Sequence, residues 1–376
     1  MKIYKNIFDR IISLENLFSA WDAFRSDKRN KRDVLQFEWH LEENIFQLHR
    51  ELKNKIYQHG PYTSFYINDP KQRHIYKASV RDRVLHHAVF SVMNPLFEET
   101  FIPTSFSCRV NYGTHKGIEF LERMMRATMQ NGTRDCFVLK CDIQKFFDSV
   151  DHKTLIEIIS RRIKDQNVIK LLKSVVESYA AGADTRERER ERVNLVPREG
   201  IPIGNLTSQL FANIYMNEFD QFMKCGLHIK HYVRYTDDFA IVSSDRVYLK
   251  SLIKPMSKFL DDYLSLNLHP KKIFIRKLNQ GIDFLGYIIF PKHRLLRTKT
   301  KRRMLAKFTE KIVAYRMGGS IRKIFYGVAP VLFRCFVTCK YCTIGQKNEE
   351  SSMVCELKDK KIGGRNYRFG RGSLFV

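Results

Sequence analysis

Long apolar runs are missing from this 376-residue sequence. No stretch approaches the ~20 apolar residues that span a bilayer, and the opening MKIYKNIFDR has no signal-peptide core. The expectation is a cytoplasmic protein without a membrane partner. Acids are also scarce, 40 Asp plus Glu against 66 Lys plus Arg, a formal charge of +26. Such an excess points to a polyanionic partner, with nucleic acid ahead of a membrane surface. The eight cysteines show no disulfide framework, and only Cys335, Cys339, Cys342 and Cys355 cluster. A Cys-x-x-Cys at 339 and 342 with two thiols nearby is compatible with zinc, but no second such pair completes it. What is present is a folding composition: 44% hydrophobic residues, in a chain long enough for two or more subdomains.

The stretch His231 to Val242, HYVRYTDDFAIV, reads as two short strands joined by a tight turn with Asp237 and Asp238 at its tip. Adjacent carboxylates between apolar strands repel and are costly to desolvate, so a cation is expected beside them; a plain Asp-rich surface turn is the alternative. Upstream, Phe137-Val138-Leu139-Lys140-Cys141-Asp142 is a buried-strand pattern ending in an acid, with an amphipathic helix expected over Lys153 to Ser178. Three carboxylates from separate strands meet the need of two-metal phosphoryl transfer, in which the ions stand about 4 Å apart.

Together these segments resemble the palm of reverse transcriptases, where an Asp-x-x-x-x-Phe/Tyr strand faces a Tyr-x-Asp-Asp hairpin. The resemblance implies an α+β right-hand polymerase with an antiparallel palm sheet and a helical thumb. It implies catalysis by Asp142, Asp237 and Asp238, with two Mg²⁺ ions (Mn²⁺ a substitute) held by these and the main chain of Ile143. Phe147 falls where the family carries the aromatic that excludes a ribose 2′-hydroxyl; an ordinary core aromatic beside Phe146 is the other reading. Lys71 and Arg73 match the cations on the incoming deoxynucleotide triphosphate, which suits the paired donors of Arg. Lys271, or its neighbour Lys272, matches a later triphosphate- or primer-facing lysine. Arg109 and His115, in a Gly113- and Gly117-containing turn, match a segment touching primer or template backbone.

Subtype is carried by Ile203-Gly204-Asn205-Leu206-Thr207-Ser208-Gln209. Most reverse transcriptases have Gln-Gly followed by Ser-Pro here, beside the nascent base pair. The Ile-Gly and Ser-Gln form looks like the enzymes of diversity-generating retroelements, which copy a template-repeat RNA with errors at adenines and work with a small, basic, oligomeric accessory variability protein. An aliphatic Ile203 in place of an amide removes a polar contact that would hold template and nucleotide in register, and Gly204 and Gln209 complete the nucleotide-facing set. A retron or group II intron type enzyme and an inactive RNA-binding scaffold are the alternatives.

In order, the resemblance implies an N-terminal helical extension (1–58), mainly fingers (59–135), mainly palm (136–290), a helical thumb (291–342) and a basic tail (343–376). Residues 294 to 323 hold eleven Lys or Arg and one acid among apolar positions, a basic amphipathic helix on which Arg302, Arg303 and Lys307 would track an RNA/DNA duplex backbone. The alternating charges of Asp184 to Arg192 read as a solvated turn.

Overall fold

The structure is a computed structural model that describes residues 2–68, 72–179 and 199–316. Lys71, the 184–192 charge run, the four clustered cysteines and the 343–376 tail lie outside those residues. The chain divides into two compact units, Met1–Leu278 and Asn279–Val376.

The first unit opens with four helices, α1 (Phe8–Ile12), α2 (Leu14–Arg25), α3 (Arg32–Trp39) and α4 (Leu41–Lys53). The Ser13 hydroxyl caps α2 by accepting from the amide of Asn16, and Leu17, Trp21 and Phe24 turn one face inward. A two-stranded antiparallel hairpin follows, β1 (Thr63–Ile67) and β2 (Arg73–Lys77). Then comes α5 (Val80–Glu98), capped by the Ser79 side chain, which accepts from the Asp82 amide, and packed against α2. Asp82 in the first turn of α5 is fully buried, yet its carboxylate accepts from the Tyr57 hydroxyl, the Gly60 amide and the Ser79 hydroxyl at 2.8, 3.1 and 2.7 Å. The next helix, α6 (Thr114–Met129), starts directly after Gly113, whose positive φ of +114° releases the chain into it and puts Gly117 inside the helix.

The palm-like sheet is built next. Strand β3 (Phe137–Asp142) is followed by α7 (His152–Arg162) and α8 (Gln166–Glu177) where one helix over 153–178 was expected. The break is enforced at a distance. Lys164 donates its amide to the carbonyl of Tyr4 at 2.9 Å, and Asp165 caps α8 with one carboxylate oxygen while the other accepts from the amides of Ile7 and Phe8. After α9 (Leu206–Gln221) come β4 (Tyr232–Tyr235) and β5 (Asp238–Ser243), then α10 (Arg246–Leu264) and β6 (Phe274–Lys277). The strands lie in the antiparallel order β4-β5-β3-β6.

Alternation along these strands separates two faces. Leu139, Cys141, Tyr232, Phe239 and Ile241 join the core formed with α9 and α10; Phe219 of α9 meets the Phe239 ring edge-on at 5.2 Å. The opposite face carries Val138, Lys140, Asp142, Asp238 and Ala240, and α6 packs on β4 and β5. Full burial of each such apolar side chain is worth roughly 1.5–3 kcal/mol, which fixes the register and leaves the acids at one end of the sheet.

In the second unit β7 (Ile282–Phe284), β8 (Tyr287–Ile289) and β9 (Arg294–Leu296) form an antiparallel sheet. Leu285 and Gly286 close the first hairpin with φ of +49° and +87°, the pair of positive values that a two-residue turn demands. The basic helix expected over 294–323 starts only at Thr298, since 294–296 are taken into β9; it is α11 (Thr298–Arg316). On it Arg302 and Lys307 are exposed and Arg303 is half-buried.

Candidate active site

The β4–β5 turn places two carboxylates against a third. Tyr235 pairs with Asp238, so Thr236 and Asp237 form the two-residue tip, and Asp142 lies directly across from Asp238 in the β3–β5 register. Thr236 adopts φ of +56°, which a β-branched side chain rarely does. The tip is tied to β3 by the amide of Ile143, which donates to the carbonyl of Asp237 at 3.2 Å. Ile143 is itself buried.

Burial makes the charged form of these acids costly, and their basic neighbours offset that cost only in part. Burial and the nearby charge of Asp142 push the Asp237 carboxyl above its ordinary range, against the pull of Lys272 and Arg73. Asp238 is pushed up to about 7, chiefly by burial, with Lys140 opposing and the two other aspartates adding. Lys272 Nζ stands 2.7 Å from Asp142 Oδ1, and Lys140 Nζ 3.1 Å from Asp238 Oδ2. The second oxygen of Asp238, Oδ1, is buried with no hydrogen-bond partner. Among the described residues no trio of His, Cys, Asp or Glu already stands in ligand geometry. An orphaned carboxylate oxygen, a second carboxyl destabilised by a like charge and hard oxygen donors throughout are nonetheless the donor set that suits Mg²⁺ or Mn²⁺.

The remaining residues picked out by the sequence divide by position. Arg73, exposed at the start of β2, bears electrostatically on Asp237. Ile75, on the same strand face, approaches Gly204, where an added Cβ would sit 3.4 Å from the Ile75 Cγ2; Gly204 has φ of +116°. The hairpin therefore closes over the Ile203–Gly204 turn. That turn is set beside the Asp142 strand by two hydrogen bonds, Ile201 amide to Phe147 carbonyl at 2.7 Å and Gly200 amide to Val150 carbonyl at 2.8 Å. Phe147, Ile203 and Gln209 are half-buried. Lys271 is exposed, whereas Lys272 is the lysine at the acids, because the short 3₁₀ turn Pro270–Lys272 aims the second one inward. Arg109 is turned inward: it donates to Glu98 at 2.8 Å and to the carbonyls of Ile102 and Ser105, and its guanidinium lies over the Tyr112 ring at 4.0 Å. His115 is half-buried on α6. Arg302, Arg303 and Lys307 belong to the second unit.

Sequence reasoning missed Lys140, although period-two alternation puts it on the face of Asp142. It also missed Arg234 and Asp220 behind the turn, where Arg234 donates from Nε and Nη2 to the two Asp220 oxygens at 2.8 and 2.6 Å. No local pattern pairs residues on a helix and a strand that far apart in sequence.

The chain is 27% identical over 292 residues to Protein YkfC of Escherichia coli (strain K12), covering 68% of this chain and 71% of that protein. It is 28% identical over 185 residues to the group II intron-encoded protein LtrA of Lactococcus lactis, covering 48% of this chain and 28% of LtrA, so it spans under a third of that relative's length. The apo telomerase from Candida tropicalis superimposes with a TM-score of 0.52 at 13% identity, covering 75% of this chain and 58% of the telomerase chain. That likeness is one of fold, mixed helix with antiparallel sheet, as in right-hand polymerases. Residues 68–289, more than half the chain, match the family described as reverse transcriptase (RNA-dependent DNA polymerase). The chain belongs to the reverse transcriptase family, the RNA-directed DNA polymerases.

Proposed function

We propose that this chain copies a template-repeat RNA into DNA as a reverse transcriptase of the diversity-generating type, error-prone at adenines. The observation that carries the polymerase part is the convergence of Asp142, Asp237 and Asp238 at one end of a buried antiparallel sheet, with Lys272 and the Arg73 charge beside them. Asp142 and Asp237, with Asp238 and the Ile143 main chain, would hold two divalent ions. Bound there, Mg²⁺ supplies activation of the primer 3′-hydroxyl and neutralisation of the pyrophosphate leaving group. Arg73, with Lys71, orients the triphosphate for in-line attack. Lys272, which pairs with Asp142 in this structure, would be free to face phosphate wherever a divalent ion took its place on that carboxylate. Phe147 forms the wall against the sugar, so a 2′-hydroxyl meets a ring rather than a hydrogen-bond partner. Lys140 keeps charge on Asp238 balanced and its position fixed.

Ile203 supports the finer part of the reading. The Ile203–Gly204 turn lies under the β2 strand with an aliphatic side chain where an amide would hydrogen-bond the nascent pair, and Gln209 follows on α9. Loss of one such polar contact removes part of the difference in binding by which correct and incorrect pairs are told apart. Template RNA, its duplex with DNA, dNTPs and a small basic accessory protein are the partners that this reading requires. A second reading, an intron-type enzyme, is favoured by the names of relatives such as LtrA.

Primer extension on a defined RNA in Mg²⁺ with product sequencing separates them. Errors concentrated opposite template adenines, reduced by Ile203→Gln, are the expected result. Accurate synthesis by the wild type would transfer the chain to the intron-type reading, and an error spectrum unmoved by Ile203→Gln would remove Ile203 from the explanation.

A further inference from the structure

The catalytic turn is held from behind by a group that never reaches the substrate side. Arg234 lies on β4, on the face away from Lys140 and Asp142, and is fully buried. Its guanidinium donates to both oxygens of Asp220, and Nη2 also donates to the Ser105 hydroxyl at 3.0 Å. The Tyr232 hydroxyl adds a third bond to Asp220 at 2.7 Å. The arginine main chain is locked as well: its amide donates to the Thr104 carbonyl at 3.0 Å and its carbonyl accepts from the Phe106 amide at 2.9 Å. What this clamp leaves over is Nη1, and Nη1 donates at 3.0 Å to the carbonyl of Thr236.

That carbonyl belongs to the peptide joining Thr236 to Asp237. Thr236 carries the positive φ of the turn, a conformation that glycine adopts at no cost and threonine does not. A β-branched residue there persists only if its surroundings over-determine it. Three bonds do so: Arg234 to the Thr236 carbonyl, the Thr236 hydroxyl to Ser107 Oγ at 2.6 Å, and the Ile143 amide to the Asp237 carbonyl. The first fixes the rotation of the peptide plane that precedes the Asp237 Cα, and so where its carboxylate points.

We infer that Arg234, itself held by Asp220 and Tyr232, is a positioning residue for Asp237: it sets the peptide plane of the catalytic turn and thereby the placement of the metal-binding carboxylate. The inference rests on the polymerase reading. An ion pair that merely stabilised the core would need only Asp220; the bond to Thr236 is what links it to the chemistry. A lysine at 234 keeps the charge for Asp220 but lacks the planar fork that reaches two acceptors in fixed directions.

The test is steady-state primer extension by wild type, Arg234→Lys and the double variant Arg234→Met with Asp220→Leu, with activity expressed per folded molecule from circular dichroism and thermal melting. Replacing a buried ion pair by apolar residues of similar volume commonly restores a core, so the double variant separates stability from positioning. Both variants are expected to lose kcat on the order of 10²-fold, the effect of a carboxylate misplaced by about 1 Å. KM for dNTP and duplex affinity stay near wild type, while the Mg²⁺ concentration for half-maximal rate rises. A folded Arg234→Lys with undiminished kcat overturns the inference. So does a double variant that regains rate along with stability, or a loss that follows only the folded fraction. A wild type without polymerase activity would instead sink the reading on which the inference rests.

Discussion

At the back of the β4–β5 hairpin Asp220 receives three hydrogen bonds, two of them from Arg234. At its tip, a few residues away, Asp238 keeps one oxygen buried without a partner, and Asp237 faces the like charge of Asp142. Both regions bury carboxylate against the same sheet, yet one is saturated and the other is left short. Asp82, beneath the β1–β2 hairpin, belongs with the saturated kind, since its two oxygens take bonds from Tyr57, Gly60 and Ser79. A fold able to satisfy two buried acids so fully has no general difficulty in doing it a third time. The deficit at the tip is therefore local, and it is the deficit that a divalent ion removes.

Neutralising the two kinds of acid should have opposite consequences. Asp237→Asn is expected to abolish primer extension, by on the order of 10⁴-fold or more, while leaving the metal-free protein as stable as wild type or more so, because a like charge disappears. Asp238 sharpens this through pH. Its folded-state carboxyl is raised to about 7, so the metal-free protein binds a proton there that the unfolded chain gives up near its ordinary value. Stability from this group is complete below about pH 4 and is lost as pH rises toward 7; Asp238→Asn should remove that slope in urea titrations of the metal-free protein. An Asp238→Asn variant that melts lower than wild type at pH 7.5 would show that the ion pair with Lys140 outweighs the cost of burying the carboxylate.

Asp220→Asn is the converse. It leaves the Arg234 guanidinium buried beside a neutral amide, a change that typically costs about 3–5 kcal/mol, so the melting temperature at pH 7.5 should fall sharply. Full stability in that variant would mean that the back of the hairpin is no better satisfied than its tip, and the contrast between them would collapse.

These differences also explain what was legible in the sequence. The Asp142 strand and the Tyr235–Asp238 hairpin are short-range patterns, in which period-two alternation and a two-residue turn are written into neighbouring residues. Lys140 was equally readable from alternation. The split of α7 from α8 was not, since Asp165 is held by the amides of Ile7 and Phe8 at the other end of the chain. Nor was the choice between Lys271 and Lys272, which a single 3₁₀ turn decides. Arg234 reads as one polar residue in an apolar strand until α9 and the Thr104–Phe106 segment are in place around it. The saturated networks are long-range and invisible locally; the unsaturated tip is local and visible.

The smallest effect comes from a second place where burial leaves polar atoms short. His86 on α5 is buried with neither ring nitrogen bonded, and its ring stacks on His59 at 5.3 Å. Burial lowers the pKa of both, with the charge of His59 adding for His86, which falls to about 3; His87, lowered by burial and by Lys28 and Arg83, lies at about 4. A histidine held neutral in the fold costs nothing above its unfolded value near 6.5. Below it the unfolded chain takes up the proton first, so stability is lost as pH falls from about 6.5 toward 4, by at most ~10-fold in the folding constant per pH unit for each ring. His86→Leu sacrifices no hydrogen bond, because none is made, and should leave stability at pH 7.5 within about 1 kcal/mol of wild type while flattening the acid limb of a urea-midpoint profile. If that variant is instead destabilised at neutral pH, the ring nitrogens have partners in solution and His86 belongs with Asp82 and Asp220 among the satisfied groups.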